Sequence, residues 1–315
     1  MKTTYSNNIK GISFLVLAMF IFSLQNIAIK WISSGYPVLE IVIFRSFIAI
    51  PCTLLIFYYE GGRGLPKTKE HRLEYMRGFL LFLSYTTYFM GLAALPLADA
   101  ASIRFSAPMT ITFLSVVLLG ETVGPRRWLA LIVGFIGVLF IVRPGTATFN
   151  MGSVFVLLAT IFYALSLMLT RRLRHSDSGA TMAYYSSVVY IVAAAILAPL
   201  AILIGEFPEA HPSIAFLFRP WAMPTLIDWL IMSGLGLVWA SGMYLVARAY
   251  SLALASVAAP FEYVTLPINV MWGFVIWQEI PTLATWAGAF LTLFSGLYIL
   301  FRENRERQHK KVLQS

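Results

Sequence analysis

The apolar runs of this chain occur twice, in the same order and at nearly the same spacing. Residues 11–30 read GISFLVLAMFIFSLQNIAIK and residues 152–171 read GSVFVLLATIFYALSLMLTR, so that Gly, Phe, Ala and the closing cation line up. Further on, Glu121 and Trp128 in GETVGPRRW match Glu279 and Trp286 in WQEIPTLATW. The offset is 141 residues for the first match and 158 for the second. One insertion of 17 residues accounts for the difference, and the loop at 206–225 can hold it. A repeated unit of this kind packs on its neighbour, because one copy cannot bury its own apolar faces.

Composition says what surrounds the packed repeats. The chain is 59% hydrophobic and 12% charged, with a mean hydropathy of +0.78. A soluble domain carries about 25% charged residues, so the solvent here is lipid. The net charge of +9 lies in short loops and the C-terminal tail. That distribution orients a membrane protein and is not the footprint of a nucleic-acid binder. One cysteine, Cys52, excludes a disulfide framework and a cysteine metal site. His71, His175, His211 and His309 are scattered through loops and tail, so no metal or cofactor is expected. The first apolar run is too long for a signal-peptide core and lacks a small-residue cleavage site, which reads as a retained helix.

About 20 apolar residues cross a bilayer as a helix. Ten stretches qualify: about 10–31, 37–59, 75–95, 97–119, 127–143, 152–170, 180–204, 227–249, 252–277 and 283–301. The breaks carry turn chemistry, among them SSGYP, GGRGLPK, the Leu95-Pro96 hairpin, VGPRR, RPGTATFN and HSDSG. With the N-terminus inside, 18 Lys and Arg fall on the cytoplasmic side and 3 (Lys30, Arg143 and Arg219) outside. This bias predicts ten spans, both termini cytoplasmic, in a bacterial inner membrane. The expected fold is all-α, with repeats at 1–145 and 150–302 and a basic tail at 303–315. Five spans per repeat is an odd number, so the second repeat is inverted relative to the first, the plan of a carrier with its site between the halves. Loops are short and no nucleotide-binding motif occurs, which excludes direct ATP drive. The 206–225 loop is rich in Pro, Phe and Trp and reads either as an interfacial flap or as a spacer.

Ionisable residues within spans are costly and usually face a cavity or a partner. Arg45, Arg104 and Glu262 are the three here. Arg104 and Glu262 are equivalent at the 158-residue offset, which brings a cation from one half and an anion from the other to one central space. An arginine can grip a carboxylate or phosphate; Glu262 can bind a substrate cation or carry a coupling proton. A static salt bridge from Glu262 to either arginine is the alternative. Glu262, Thr265 and Asn269 recur on one helical face and suit a cavity wall or interhelical hydrogen bonds, as do Gln25 and Asn26. Tyr85, Tyr88, Trp239 and Tyr244 can stack a planar substrate or simply pack. Pro108 and Pro267 predict kinks beside Arg104 and Glu262. Glu121 and Glu279 end their helices and are expected to bind backbone amides or Arg126 and Arg127. The stretch Gly134-Phe-Ile-Gly137 allows close helix packing, within the chain or in a homodimer.

These features together resemble the drug/metabolite transporter superfamily, EamA type, over nearly the whole chain. The resemblance rests on the five-plus-five layout, FRSF around Arg45, and the run LPLADAASIRFSAPMTITFLSVVLLGETVGPRRWLALIVGFIGVLFIVRPG from Leu95 to Gly145. It implies an inverted-repeat fold with a central cavity, in carriers that import or export amino acids, nucleotide-like metabolites, vitamins and drugs. The Arg77 stretch RGFLL and the ADAAS run resemble S-adenosylmethionine uptake carriers. Arg104 departs from the small or apolar residue usual before Phe105.

The expected activity is therefore secondary transport of a small amino-acid-like, zwitterionic or amphipathic metabolite by alternating access. The alternative is an S-adenosylmethionine- or vitamin-type uptake carrier. A lipid-modifying membrane enzyme would need a catalytic His, Asp or Glu cluster near one membrane face, and the sequence has none. A passive channel fits inverted repeats without a charged ring poorly.

Overall fold

The computed structural model describes residues 2–119, 124–146, 149–173, 176–252 and 259–312, and every regular element among them is helical. Glu121 lies outside the described residues, as do the side chains of Pro108, Arg126 and Arg127. The first half contains α1 (Lys2–Ile32), α2 (Val38–Tyr59), α3 (His71–Leu92), α4 (Leu97–Arg104), α5 (Ala107–Leu119) and α6 (Pro125–Val142). The second contains α7 (Met151–Leu173), α8 (Gly179–Ile204), α9 (Pro212–Phe218), α10 (Leu226–Leu252), a 3-10 turn (Ala259–Val264), α11 (Thr265–Trp277) and α12 (Leu283–Val312). Five helices contain stretches long and apolar enough to cross a membrane: Ile9–Ile32, Val38–Tyr59, Met151–Thr170, Gly179–Ile204 and Leu226–Val246.

The breaks follow from local chemistry. Pro96 is the N-cap of α4, and a short turn separates α4 from the end of α3 at Leu92, so the chain breaks at 95–97 as expected. The span expected at 97–119 is two helices. The chain turns at Phe105 and Ser106, and Pro108 falls in the first turn of α5, where its missing N–H costs no helical bond. Likewise Pro267 falls in the first turn of α11, after the 3-10 turn. The prolines thus restart helices where mid-span kinks were expected. Because Glu262 stands on the 3-10 turn, it does not continue the α-helical stripe of Thr265 and Asn269. The 206–225 loop is no bare spacer. Its short helix α9 is started by His211, whose Nδ1 accepts the Ser213 N–H, and Phe216 is fully buried against α3, α7 and α8.

Helix pairing is close wherever glycines meet a neighbour. The main pairs are α1 on α10, α3 on α7, α2 on α8, α2 on α10, α3 on α8 and α6 on α12. A Cβ on Gly236 of α10 would lie 2.6 Å from the Arg45 carbonyl oxygen and 2.8 Å from Ile48 Cβ on α2. One on Gly78 of α3 would lie 2.9 Å from Val189 on α8. At the α6–α12 crossing, a Cβ on Gly137 would lie 2.8 Å from the Gly288 carbonyl oxygen, and Ser295 Oγ donates to the Ala130 carbonyl. The Gly134–Gly137 stretch therefore serves packing within the chain. Lipid supplies no hydrophobic drive between helices, so such small-residue contacts carry association.

Candidate functional site

Three polar clusters lie inside this bundle. The first surrounds Arg45, which is fully buried on α2. Its guanidinium carbon lies 4.0 Å from the ring centroid of Tyr85 (α3), 4.8 Å from Tyr190 (α8) and 4.7 Å from Trp239 (α10). One helix supplies the cation and three others supply a ring each. Gly236 brings the backbone of α10 against that of α2 at Arg45, and Trp239 follows one turn later. The Tyr190 hydroxyl donates to the Leu81 carbonyl at 2.9 Å. By contrast Nε and Nη1 of Arg45, the Tyr85 hydroxyl and the Trp239 Nε1 are buried with no hydrogen-bond partner among the described residues.

The second cluster lies around the break between α4 and α5. The Arg104 guanidinium is 4.8 Å from the Tyr88 ring and 5.0 Å from Tyr163 on α7. Asn26 of α1 donates to Asn269 Oδ1 of α11 at 3.3 Å, and Trp272 donates its indole N–H to Ser23 at 3.1 Å. Gln25 Oε1 and Asn269 Nδ2 are buried without partners. Phe105 and Tyr263 meet edge to face at 4.7 Å beside Arg104 and Glu262.

The third closes one end of the bundle. Lys30, at the end of α1, pairs with Glu279, donates to the Leu95 carbonyl at 2.9 Å, and lies over the Trp277 ring at 5.0 Å. The other Glu279 oxygen accepts the Leu97 N–H at 3.0 Å at the start of α4. Gln278 adopts a left-handed conformation that turns the chain so that Glu279 folds back on Gly273. Next to it, Thr285 donates to Asp99 at 2.7 Å. One ion pair thus ties the end of α1, the hairpin before α4 and the turn after α11.

The sequence candidates divide across these clusters. Arg45, Tyr85 and Trp239 come together, and so do Arg104 and Tyr88, with Asn26 and Asn269 close by. The Thr265 hydroxyl donates to the Glu262 carbonyl at 2.8 Å, which assigns it to the turn. Tyr244 is half-buried on α10, and among the described residues the rings against Arg45 and Arg104 are others. The two described ion pairs are Lys30–Glu279 and Arg77–Glu74, neither of them the expected bridge to Glu262. Glu279 does bind a backbone amide, as expected, but its cation is Lys30 where Arg126 or Arg127 was expected. Tyr163, Tyr190 and the Lys30–Glu279 tie were missed. The signal for the tie was a lone outside lysine in a set of three.

With this geometry in hand, similarity to known proteins can be stated. The model of the EamA-like transporter family matches residues 9–143. A pseudopaline exporter of Pseudomonas aeruginosa is 31% identical, over 89% of this chain and 92% of its own. The chain belongs to the EamA-like transporter family. An S-adenosylmethionine uptake transporter of Rickettsia prowazekii is 25% identical over 99% of this chain and 98% of its own. A riboflavin transporter of Vibrio cholerae is 26% identical over 96% and 97%. A solved crystal structure aligns with 96% of this chain and 98% of its own at a TM-score of 0.61 and 17% identity, which shows a shared fold. This EamA-like chain is therefore a multi-pass membrane transporter, with its candidate residues on helices of both halves.

Proposed function

We propose that this EamA-like protein is a secondary carrier of small organic metabolites, amino-acid-like, zwitterionic or amphipathic, working by alternating access between two inverted repeats, 1–145 and 150–302. Contacts that exchange between the halves carry the reading. The offsets of 141 and 158 convert the Gly78–Val189 contact into Ile48–Gly236. They convert Gly91–Val156 into Leu15–Ala249, a buried pair. At the offset of 158, Gly134–Ser295 becomes Thr292–Gly137, and Gly137–Gly288 becomes Ser295–Ala130. The helix pairs exchange in the same way: α1 on α10 with α3 on α7, and α2 on α10 with α3 on α8. Phe105 and Tyr263 are equivalents that touch each other, so the pseudo-twofold axis runs between them.

Arg104 and Glu262 flank that axis. A substrate there meets a cation from one half and an anion from the other, with Tyr88, Asn26, Gln25 and Asn269 along the wall. Glu262 takes a substrate ammonium or a coupling proton. The Lys30–Glu279 tie closes the end that the Lys and Arg distribution places outside, and both termini are cytoplasmic. Breaking the tie at that end while the equivalent end closes is the alternation.

The test is counterflow in proteoliposomes, with S-adenosylmethionine, tryptophan, adenosine monophosphate and riboflavin as labelled probes. Saturable uptake driven by the same unlabelled compound inside supports a carrier. Flux that is linear in concentration and shows no counterflow contradicts it.

A further inference from the structure

The Arg45 cage holds donors without acceptors. Arginine keeps its proton in proteins, so a buried guanidinium carries a permanent charge. In a membrane-spanning helix such a charge is costly unless paired. Three rings, with centroids 4.0 to 4.8 Å from the guanidinium carbon, offset part of the cost. Nε and Nη1 are nonetheless buried without a hydrogen-bond partner among the described residues. The two other unpartnered atoms in the cage, the Tyr85 hydroxyl and the Trp239 indole N–H, can also donate. None of the four is an obligate acceptor, and no described carboxylate is within ion-pair distance of Arg45. One fixed positive charge on α2, with unpartnered donors on its own guanidinium and on the rings that pack against it from α3 and α10, describes half of an anion site.

Resting on the carrier reading above, we propose that this cage is the subsite for an oxyanion group of the transported metabolite. Arg45 supplies the charge, and Tyr85 and Trp239 supply oriented hydrogen bonds. An ionised carboxylate offers about four lone-pair directions and no donor, the complement of this set. Place supports chemistry. The cage takes Arg45 from α2 and Tyr85 from α3 of the first half, Tyr190 from α8 and Trp239 from α10 of the second. An anion held there touches both halves, so its binding energy couples to their relative motion. With Glu262 and Arg104 at the second cluster, the substrate is sorted by an anionic end at one locus and its remaining body at the other. A purely structural clamp would be served as well by Phe at position 85, without an orphaned hydroxyl.

The test uses matched pairs in the counterflow assay. S-adenosylmethionine is competed by its decarboxylated form, tryptophan by tryptamine, and adenosine monophosphate by adenosine; riboflavin is the uncharged probe. The first two pairs report a carboxylate and the third a phosphate. In the native protein, at least one oxyanion-bearing probe exchanges saturably, and its partner competes about tenfold or more weakly, as expected for loss of one charged hydrogen-bonded group. Tyr85→Phe keeps the ring and deletes the orphaned hydroxyl; Trp239→Phe deletes the indole N–H and keeps a smaller aromatic face. Each raises the half-saturation for the oxyanion probe by about threefold to tenfold; Tyr85→Phe leaves the melting temperature unchanged or higher, since an unpartnered buried polar group is removed, whereas Trp239→Phe lowers it through lost packing. Arg45→Lys retains part of the preference, and Arg45→Met abolishes it. The proposal is overturned if the partners compete equally, if riboflavin alone exchanges, or if both Phe variants match the native half-saturation. Absence of saturable exchange for every probe sinks the carrier reading itself, a different outcome from exchange that ignores the oxyanion.

Discussion

Replacing Glu279 by Gln removes one charge and little else. The shape stays, and a side-chain oxygen remains for the Leu97 N–H. What is lost is the pairing with Lys30, whose side chain is 12% exposed against 21% for Glu279. Exposed pairs are worth about 0–1 kcal/mol, and removing one partner of a buried pair costs about 3–5 kcal/mol. These exposures lie between the two, so about 2 kcal/mol is a fair figure, or about thirtyfold in an equilibrium constant. The tie exists only while the ends of α1 and α11 meet the start of α4, so this energy weights the closed end against the open one. The assay is labelling of a single cysteine at Ala100, buried one turn into α4 beyond Leu97, in a Cys52→Ala background. An impermeant maleimide added from the α1 C-terminal side reports opening. Glu279→Gln raises the labelling rate about tenfold to thirtyfold, and adding Lys30→Met raises it further only by what its contacts with the Leu95 carbonyl and Trp277 supply. Equal rates in parent and Glu279→Gln refute the latch.

Other perturbations test separate parts of the account. Gly236→Ala pushes a methyl into the backbone of α2 and costs about 1–3 kcal/mol, whereas Gly234→Ala, with nothing within 4 Å, is neutral or mildly stabilising; thermal unfolding of both reads the difference. The Tyr36 hydroxyl donates to Asp228 at 2.8 Å between the α1–α2 turn and the start of α10, and chiefly this bond, then burial, pushes the Tyr36 pKa above its ordinary value of 10.0. A raised tyrosine pKa contributes stability that is full below pH 10.0 and lost as pH climbs through the folded value. Tyr36→Phe therefore lowers the melting temperature at neutral pH, by about 1–2 kcal/mol of stability, and flattens the alkaline fall; an unchanged alkaline limb contradicts the assignment. Glu262→Gln slows transport with normal folding, and native rates in that variant would remove Glu262 from the pathway.

Helix breaks were largely readable, because a Pro-bearing break in an apolar run has few alternatives. Pro96 marks the hairpin, and Pro108 and Pro267 mark the helix restarts. The sequence also brought Tyr85 and Trp239 forward, since aromatic residues clustered on their two spans. It could not say that they face Arg45, because a helical period gives a face and not the neighbour that covers it. Tyr190 and Tyr163 stayed hidden within runs such as SSVVYIV and ATIFYAL, where one tyrosine has no contrast. The Lys30–Glu279 tie joins residues 249 apart in the chain, beyond any local signal. Treating 252–277 as one α-helix put Glu262 on the face of Asn269, and the 3-10 turn separates them. The two offsets are the one long-range signal in the sequence, and they underlie the proposed pairing of α2 with α8 and of α3 with α10 as repeat equivalents.

In the proposed cycle the two ends of the bundle open in alternation. Spin-label pairs at Ser34 and Ile280, on the latch end, and at Arg63 and Arg172, toward the other, read both ends in the same membrane sample. The account predicts two distances at each end. Glu279→Gln shifts the latch pair toward the longer distance and the opposite pair toward the shorter, in matching proportion. One fixed distance at both ends, or both ends lengthening together, would contradict alternating access and leave a channel as the better description.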